Sequence, residues 1–377
     1  VRRTRRSDID AVVGRIYDAA LEPQLWSSVL DEIAGAVGAG GAALFGSPVC
    51  PSIGWYHSQG GDAFFDWLAR EGRDVHNPRP ERAMRLGRPG RAITESHLFT
   101  DWELAHIPFN VEMTRHGCHR EAGGMFAVID GAPLFFTCQR PFGEDRFGPA
   151  ELDVIEAIFP HIERAAHIAA RFSRERTEGM LDTFDRMSCG GILLGSDGRV
   201  IRLNRCAEAL LGVSVDVTGN RLTALDATAD GALQRLVKCV TAGTLRLDRA
   251  PASGFAPLPR AAGRPLAVYA MPLGGDTPDL FQRARAMLVI VDPDANRDVQ
   301  SELLVQLYHL TPAELRVALA LAKGMDTKEI AEMHGVSLNT VRGQLKALMG
   351  KTDTHRQSEL VALLLKASMA PLPGARK

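Results

Sequence analysis

The residues best spaced for chemistry lie near the C-terminal end of the 377-residue chain. Asn339, Arg342, Lys346 and Met349 recur at steps of three, four and three, which lines them up on one side of a helix. Val341, Leu345 and Leu348 recur on the opposite side as a narrow apolar anchor. A helix of this kind suits a DNA major groove. Arg can fork onto a guanine edge, Lys can reach guanine or phosphate, and the small Gly343 permits close approach. A charged helical stripe can equally be an ordinary solvated face, so its neighbours decide the reading.

Those neighbours predict a compact set of short, capped helices. Thr311-Pro312 opens one, since proline is tolerated in a first turn whose N–H groups have no helical acceptor. Its expected buried stripe is Leu315, Ala318, Leu319 and Ala322, and Gly324 ends it. Asp326 and Glu329 have capping-box spacing for the next helix, with Ile330, Ala331 and Met333 on its apolar side. Gly335 allows the tight turn, Ser337 caps the helix that carries Arg342, and Val336 and Val341 are placed as a hydrophobic staple.

Leu310-Thr311-Pro312, Lys328-Glu329-Ile330-Ala331, Val336-Ser337, Asn339-Thr340-Val341-Arg342 and Lys351-Thr352 together resemble the LuxR-type helix-turn-helix of bacterial transcription regulators. The resemblance runs from Leu310 to about Leu365. It implies that Arg342, Gly343 and Lys346 approach bases, while Lys328, Thr340, Gln344 and Lys351 meet phosphates, and Asn339 is counted with them as a DNA-binding residue. It also implies a fourth helix over residues 355–366, with Leu360, Leu363 and Leu364 on the core and Val361 and Leu365 free to pair across a dimer. Gln344 stands where the family usually has His, and Ala313 and Leu315 replace commonly charged positions. Residues 308–366 carry eight Lys/Arg against six Asp/Glu, a balance of only +2, so tight binding is expected to need two copies.

Upstream, two mixed blocks are expected. In the first, residues 9–37 have helical periodicity, and 124–129 and 132–138 read as strands around an Asp130-Gly131 turn. A connector follows in which Ile155, Ile158, Ile162, Ala165, Ala169 and Phe172 form an a/d seam interrupted by Pro160. That seam serves either a partner helix or the connector's own domain. In the second block, 191–195 and 199–203 read as strands joined through Asp197-Gly198, 204–211 as a helix, and 266–271 and 286–291 as further strands. A Pro/Gly/Ala-rich stretch at 250–265 and a polar connector at 292–300 complete it.

Gly191-Ile192-Leu193-Leu194, Asp197-Gly198-Arg199-Val200 and the run from Asn204 to Gly212 resemble a PAS domain. Arg140-Pro141-Phe142, Phe147-Gly148-Pro149-Ala150-Glu151-Leu152 and the 159–165 run resemble the GAF-like N-terminal domain of larger LuxR-type regulators. Tyr56, Phe64, Trp67 and Trp102 are candidate walls of a small-molecule pocket, the alternative being plain core. Trp67 with Asn77-Pro78 is similar to the Trp…Asp-Pro pattern of acyl-homoserine-lactone receptors. Asn replaces the Asp that would accept the ligand amide, so that ligand is not expected.

His116-Gly117-Cys118-His119, with His106 and Cys138, has zinc-type ligands without a second ligand pair, and lacks a third group for a Cys/His nucleophile. No glycine-rich phosphate loop is present. The reading is therefore a non-enzyme, with no metal or cofactor. Cysteines are scattered, the basic start has no apolar core behind it, and no apolar run is long enough to span a bilayer, so a reduced, cytoplasmic, membrane-free setting is expected.

The expected architecture is multidomain: a GAF-like α+β sensor at 1–172, a PAS-like α+β sensor at 173–298, and an all-α four-helix LuxR-type domain at 299–377. The expected partners are double-stranded DNA, a small ligand and a second copy. The alternative is a regulator whose ligand-free sensor domains serve protein–protein contacts.

Overall fold

A computed structural model of the chain describes residues 6–46, 54–72, 75–86, 89–242, 254–260, 263–273, 279–294 and 301–368. The helical periodicity at the start resolves into α1 (Arg6–Leu21) and α2 (Trp26–Ala36). Gly38 turns the chain through a left-handed conformation into β1 (Gly41–Gly46), which pairs with β2 (Trp55–His57). A helical excursion follows: α3 (Asp62–Arg70), α4 (Arg79–Leu86), the short β3 (Ile93–Thr94), α5 (Glu95–Leu98), α6 (Asp101–His106) and α7 (Pro108–Arg115). Strands β4 (Arg120–Ile129) and β5 (Ala132–Arg140) are longer than expected at their outer ends, but they meet at the expected turn. Asp130 and Gly131 both have positive φ there, the conformation a two-residue hairpin of this twist requires.

The resulting antiparallel sheet has the order β2-β1-β5-β4-β3. Alternation along each strand sends Ala42, Leu44, Phe136 and Phe126 to one face, where α1, α2 and α8 (Pro149–Arg186) bury them. Ala43, Phe45, Phe135, Thr137 and Glu121 go to the other face, under α3–α7. The buried Arg140 side chain ties the carbonyls of Val37 and Gly38 to Glu151 in the first turn of α8, with its guanidinium 4.1 Å over Phe147.

Helix α8 decides between the two readings of the a/d seam. Ile155, Ile158, Ile162, Ala165 and Ala169 are all buried against α1 and the first sheet, so the seam is occupied by its own domain. Phe172 is left exposed. The helix continues through Pro160 and past residue 172, where a domain boundary was drawn, as far as Arg186. Its C-terminal end packs Leu181, Met180 and Phe184 on the second sheet. One helix thus belongs to both α+β domains.

The second sheet is built from β6 (Gly190–Leu194), β7 (Val200–Leu203) and, after a separate two-stranded hairpin of β8 (Val215–Thr218) and β9 (Arg221–Ala224), β10 (Phe255–Leu258), β11 (Leu266–Pro272) and β12 (Ala286–Val291). Its order is β10-β11-β12-β6-β7, antiparallel throughout. The helix expected at 204–211 is only α9 (Arg205–Glu208), capped by Asn204 and left at once for a turn. The β8–β9 hairpin, strand β10 and helix α10 (Ala227–Thr241) were not anticipated as separate elements. The hairpin turns on Gly219-Asn220, a short polar pair inside a weakly patterned run.

The segment before β12 leaves its own domain. Leu280 and Phe281 are buried in the first domain's core, where Phe281 lies 5.5 Å from the Trp26 ring and 6.0 Å from Tyr56. The Tyr56 hydroxyl donates to Asp279 Oδ1 at 2.9 Å.

The last domain is helical: α11 (Ser301–Tyr308), α12 (Pro312–Ala322), α13 (Thr327–His334), α14 (Leu338–Lys351) and α15 (Gln357–Ser368). Part of the 292–300 connector, from 295 to 300, and the tail at 369–377 lie outside the described residues, as does Cys50.

Candidate nucleic-acid interface

Each helix of the last domain starts where the sequence supplies a cap. Thr311 Oγ1 accepts from the Glu314 amide while the Glu314 carboxylate accepts from the Thr311 amide, and Asp326 and Glu329 do the same. Gly335 ends α13 in a left-handed conformation, and Ser337 Oγ accepts from the Thr340 amide to start α14. The core places Val341 and Leu348 fully inside with Leu345 beside them, so the register of α14 is that of the expected apolar anchor. Asn339, Thr340, Arg342, Gly343 and Lys346 are consequently exposed, and Gln344 is half-buried.

Several details differ from the expected pattern. The buried apolar residues of α12 are Val317, Ala318, Ala320 and Leu321, with Leu315, Leu319 and Ala322 only partly buried. The stripe rotates because Glu314 occupies its first position, drawn inward by Lys351. Lys351 Nζ lies 2.7 Å from Glu314 Oε2 and donates to the His309 carbonyl at 2.9 Å. That bond holds the Glu314 carboxyl below the usual carboxylate range. Lys351 was expected on a phosphate; it fastens the end of α14 to α12. Met349 packs on the core instead of joining the polar stripe, whereas Met333 is exposed, not inward. On α15, Leu360 and Leu364 are buried and Val361 leans on the same core, so Val361 is not free for a dimer contact. Leu365 is exposed.

A Cβ built on Gly343 would meet nothing within 4 Å, so no internal packing calls for glycine there. Its side of the helix is open to an approaching surface. Lys328 stands exposed in the first turn of α13, its backbone amide held by Asp326.

The candidate pocket residues do not converge. Phe64 and Trp67 share one aromatic cluster with Phe109 on the α3–α7 face. Tyr56 packs on the opposite side of the sheet, and Trp102 is 67% exposed with His106 stacked on it. His116 stacks on Trp67, His119 bonds to Thr114, and Cys118 is buried, its thiol pushed up to about 11 by burial. Burial raises the Cys138 thiol as well. Among the described residues no group of three or more His, Cys, Asp or Glu could hold a metal ion, and no helix is long and apolar enough to cross a membrane.

Sequence reasoning missed a buried polar cluster beneath β4 and β5. Glu95 is 0% exposed, and Arg79 and Glu121 are nearly so. The Arg79 guanidinium is paired with Glu121 through Nη1 and donates from Nε to Asn110 Oδ1 at 3.0 Å. Glu95 Oε2 accepts from the Glu121 amide at 3.1 Å, and Glu95 Oε1 is 3.4 Å from Arg120 Nη1. Burial lowers the Arg79 guanidinium to about 10, still a cation at neutral pH. The three residues lie on separate elements, 16 and 26 positions apart in sequence, so no local motif could announce them.

The helical domain is a LuxR-type helix-turn-helix: residues 308–364 match the family described as bacterial regulatory proteins, luxR family. Solved structures with some likeness include the phage VqmA–DPO complex, with 19% identity, 53% of this chain, 94% of that chain and a TM-score of 0.19. Another is Escherichia coli SdiA, at 11% identity with 90% of each chain covered and a TM-score of 0.26. A third is the Vibrio cholerae VqmA dimer without target DNA, at 16% identity, covering 51% of this chain and 90% of that one, with a TM-score of 0.16. No curated protein matched the chain.

Proposed function

We propose that the chain is a DNA-binding transcription regulator in which two α+β domains control how a pair of LuxR-type domains engages promoter DNA. The observation that carries this reading is the family match at 308–364 combined with the exposed Asn339–Arg342–Lys346 stripe on a capped helix. In this reading Arg342 and Lys346 face base edges in the major groove, with Asn339 and Gly343 beside them. Thr340, Gln344 and Lys328 flank the groove at its phosphates.

The first α+β domain is read as a GAF-like small-molecule sensor and the second as a PAS-like relay. Helix α8 and the Asp279–Phe281 contact supply a mechanical path between them. The +2 balance of the DNA-binding segment favours a homodimer, because two half-sites double the phosphate contacts. The protein acts in the cytoplasm, where its DNA is, and catalyses no reaction.

Selection from a pool of random duplexes tests the assignment. Wild type should enrich a two-fold symmetric site, and sedimentation should give a dimer on it. No enrichment over bulk DNA would remove the function.

A further inference from the structure

We propose that the crevice between α4 and strands β4 and β5 binds a small neutral molecule that presents a hydrogen-bond donor and acceptor side by side on an apolar body. This deepens the sensor reading of the first domain and rests on it.

The crevice is small and open: about 340 Å³ is reached only when the solvent at its mouth is counted. Its apolar walls are Phe45 and Phe135, stacked at 5.6 Å, with Pro80 and Ala83 from α4 opposite. Three charged residues, Arg79, Glu95 and Glu121, also line it, each more than nine-tenths buried. Arg79 and Glu121 have capacity left. Among the described residues, Arg79 Nη2 donates no hydrogen bond and Glu121 Oε1 accepts none. A buried ion pair is costly to desolvate and seldom more stable than apolar packing of the same volume. Charged groups retained beside a cavity with unused donors and acceptors are therefore the mark of a binding site.

Charge sets the ligand class. Arg79 is paired with Glu121, and Arg120 faces Glu95, so the cluster balances without a ligand. An anion or cation would enter with no free countercharge and would bear its full desolvation penalty. A cyclic amide or lactam meets the requirement: its N–H reaches Glu121 Oε1 and its carbonyl accepts from Arg79. The close backbone crossing at Gly124, where a Cβ would collide with the Arg91 carbonyl, closes one wall and keeps the site small.

The test uses the full chain with three probes: 2-pyridone, N-methyl-2-pyridone, which lacks the donor, and benzoate, which is an anion. At several times its Kd, 2-pyridone should raise Tm by about 2–4 °C, with no shift from the other two. Glu121→Gln should abolish the shift, and so should Ala83→Leu, which fills the crevice without touching the ion pairs. Should Glu121→Gln fail to fold, Ala83→Leu alone decides. The proposal is overturned if 2-pyridone gives no shift, if either control probe matches it, or if Ala83→Leu retains the response. Native mass spectrometry of freshly purified protein separates this from the sensor reading. A co-purifying compound that Ala83→Leu still carries would leave the sensor reading intact and place its site elsewhere, overturning the crevice.

Discussion

The two α+β domains bury opposite chemistry under the same strand order, which runs second, first, fifth, fourth, third in each. On the α3–α7 side of its sheet the first domain buries Arg79, Glu95, Glu121, Asn110, Thr137 and Gln139. The second fills its core with aliphatic side chains such as Leu233, Leu236, Val268, Leu288 and Ile290. Its main polar hub is Asn204, whose amide satisfies the backbone at Gly191, Ala207 and Cys189. Topology alone therefore does not set what a sheet buries. The first sheet buries polar groups beside a crevice, whereas the second packs the end of α8 and Ala284 on an apolar face.

The sharpest way to break this contrast is to remove one buried charge. Glu121→Ala leaves Arg79 buried without its partner and should cost about 3–5 kcal/mol, read from urea unfolding of the full chain. Asn204→Ala, in the second domain, removes neutral hydrogen bonds and should cost less, about 1–3 kcal/mol. Equal costs would mean that the two interiors do not differ in kind.

The third domain extends the contrast to charges near the surface. Glu314 is held below its unfolded pKa by Lys351 and by the Thr311 amide, so its contribution is present above the unfolded value, near 4.3. That contribution is lost as pH falls through the lower folded value. Lys351→Ala should flatten this acid-side loss in thermal melts taken down the pH scale. An unchanged profile would mean that the pair does not fasten α14.

A smaller effect separates folding from recognition at one residue. Gly343→Ala should stabilise α14 by up to about 1 kcal/mol, since the site is open and glycine is the poorer helix former. If Gly343 faces a groove, the same change should weaken DNA binding. Stabilisation with undiminished binding would show that this face points away from DNA.

Legibility followed locality. The caps at Thr311, Asp326 and Ser337, the turn at Asp130-Gly131 and the anchor of α14 are set by residues a few positions apart, and all were readable. The rotation of the α12 stripe was not, because it depends on Glu314 meeting Lys351 across the fold. Nor was the function of the a/d seam, since periodicity states that a stripe is buried but not by what. Aromatic residues of the first domain such as Tyr56 and Phe64 were legible as buried groups, Trp102 was not, and composition could not say which side of a sheet each would take. The Arg79–Glu95–Glu121 cluster is the extreme case, assembled by three elements that only the sheet brings together.

The groove assignment of α14 is tested most directly by comparing Arg342→Ala and Lys346→Ala with wild type in gel shifts on the selected site across a salt series. Arg342→Ala should lose about 1–3 kcal/mol of affinity and relax the preference for one base, and Lys346→Ala should weaken binding and reduce the salt slope by about one if it reaches phosphate. Wild-type affinity, preference and salt dependence in both variants would contradict it.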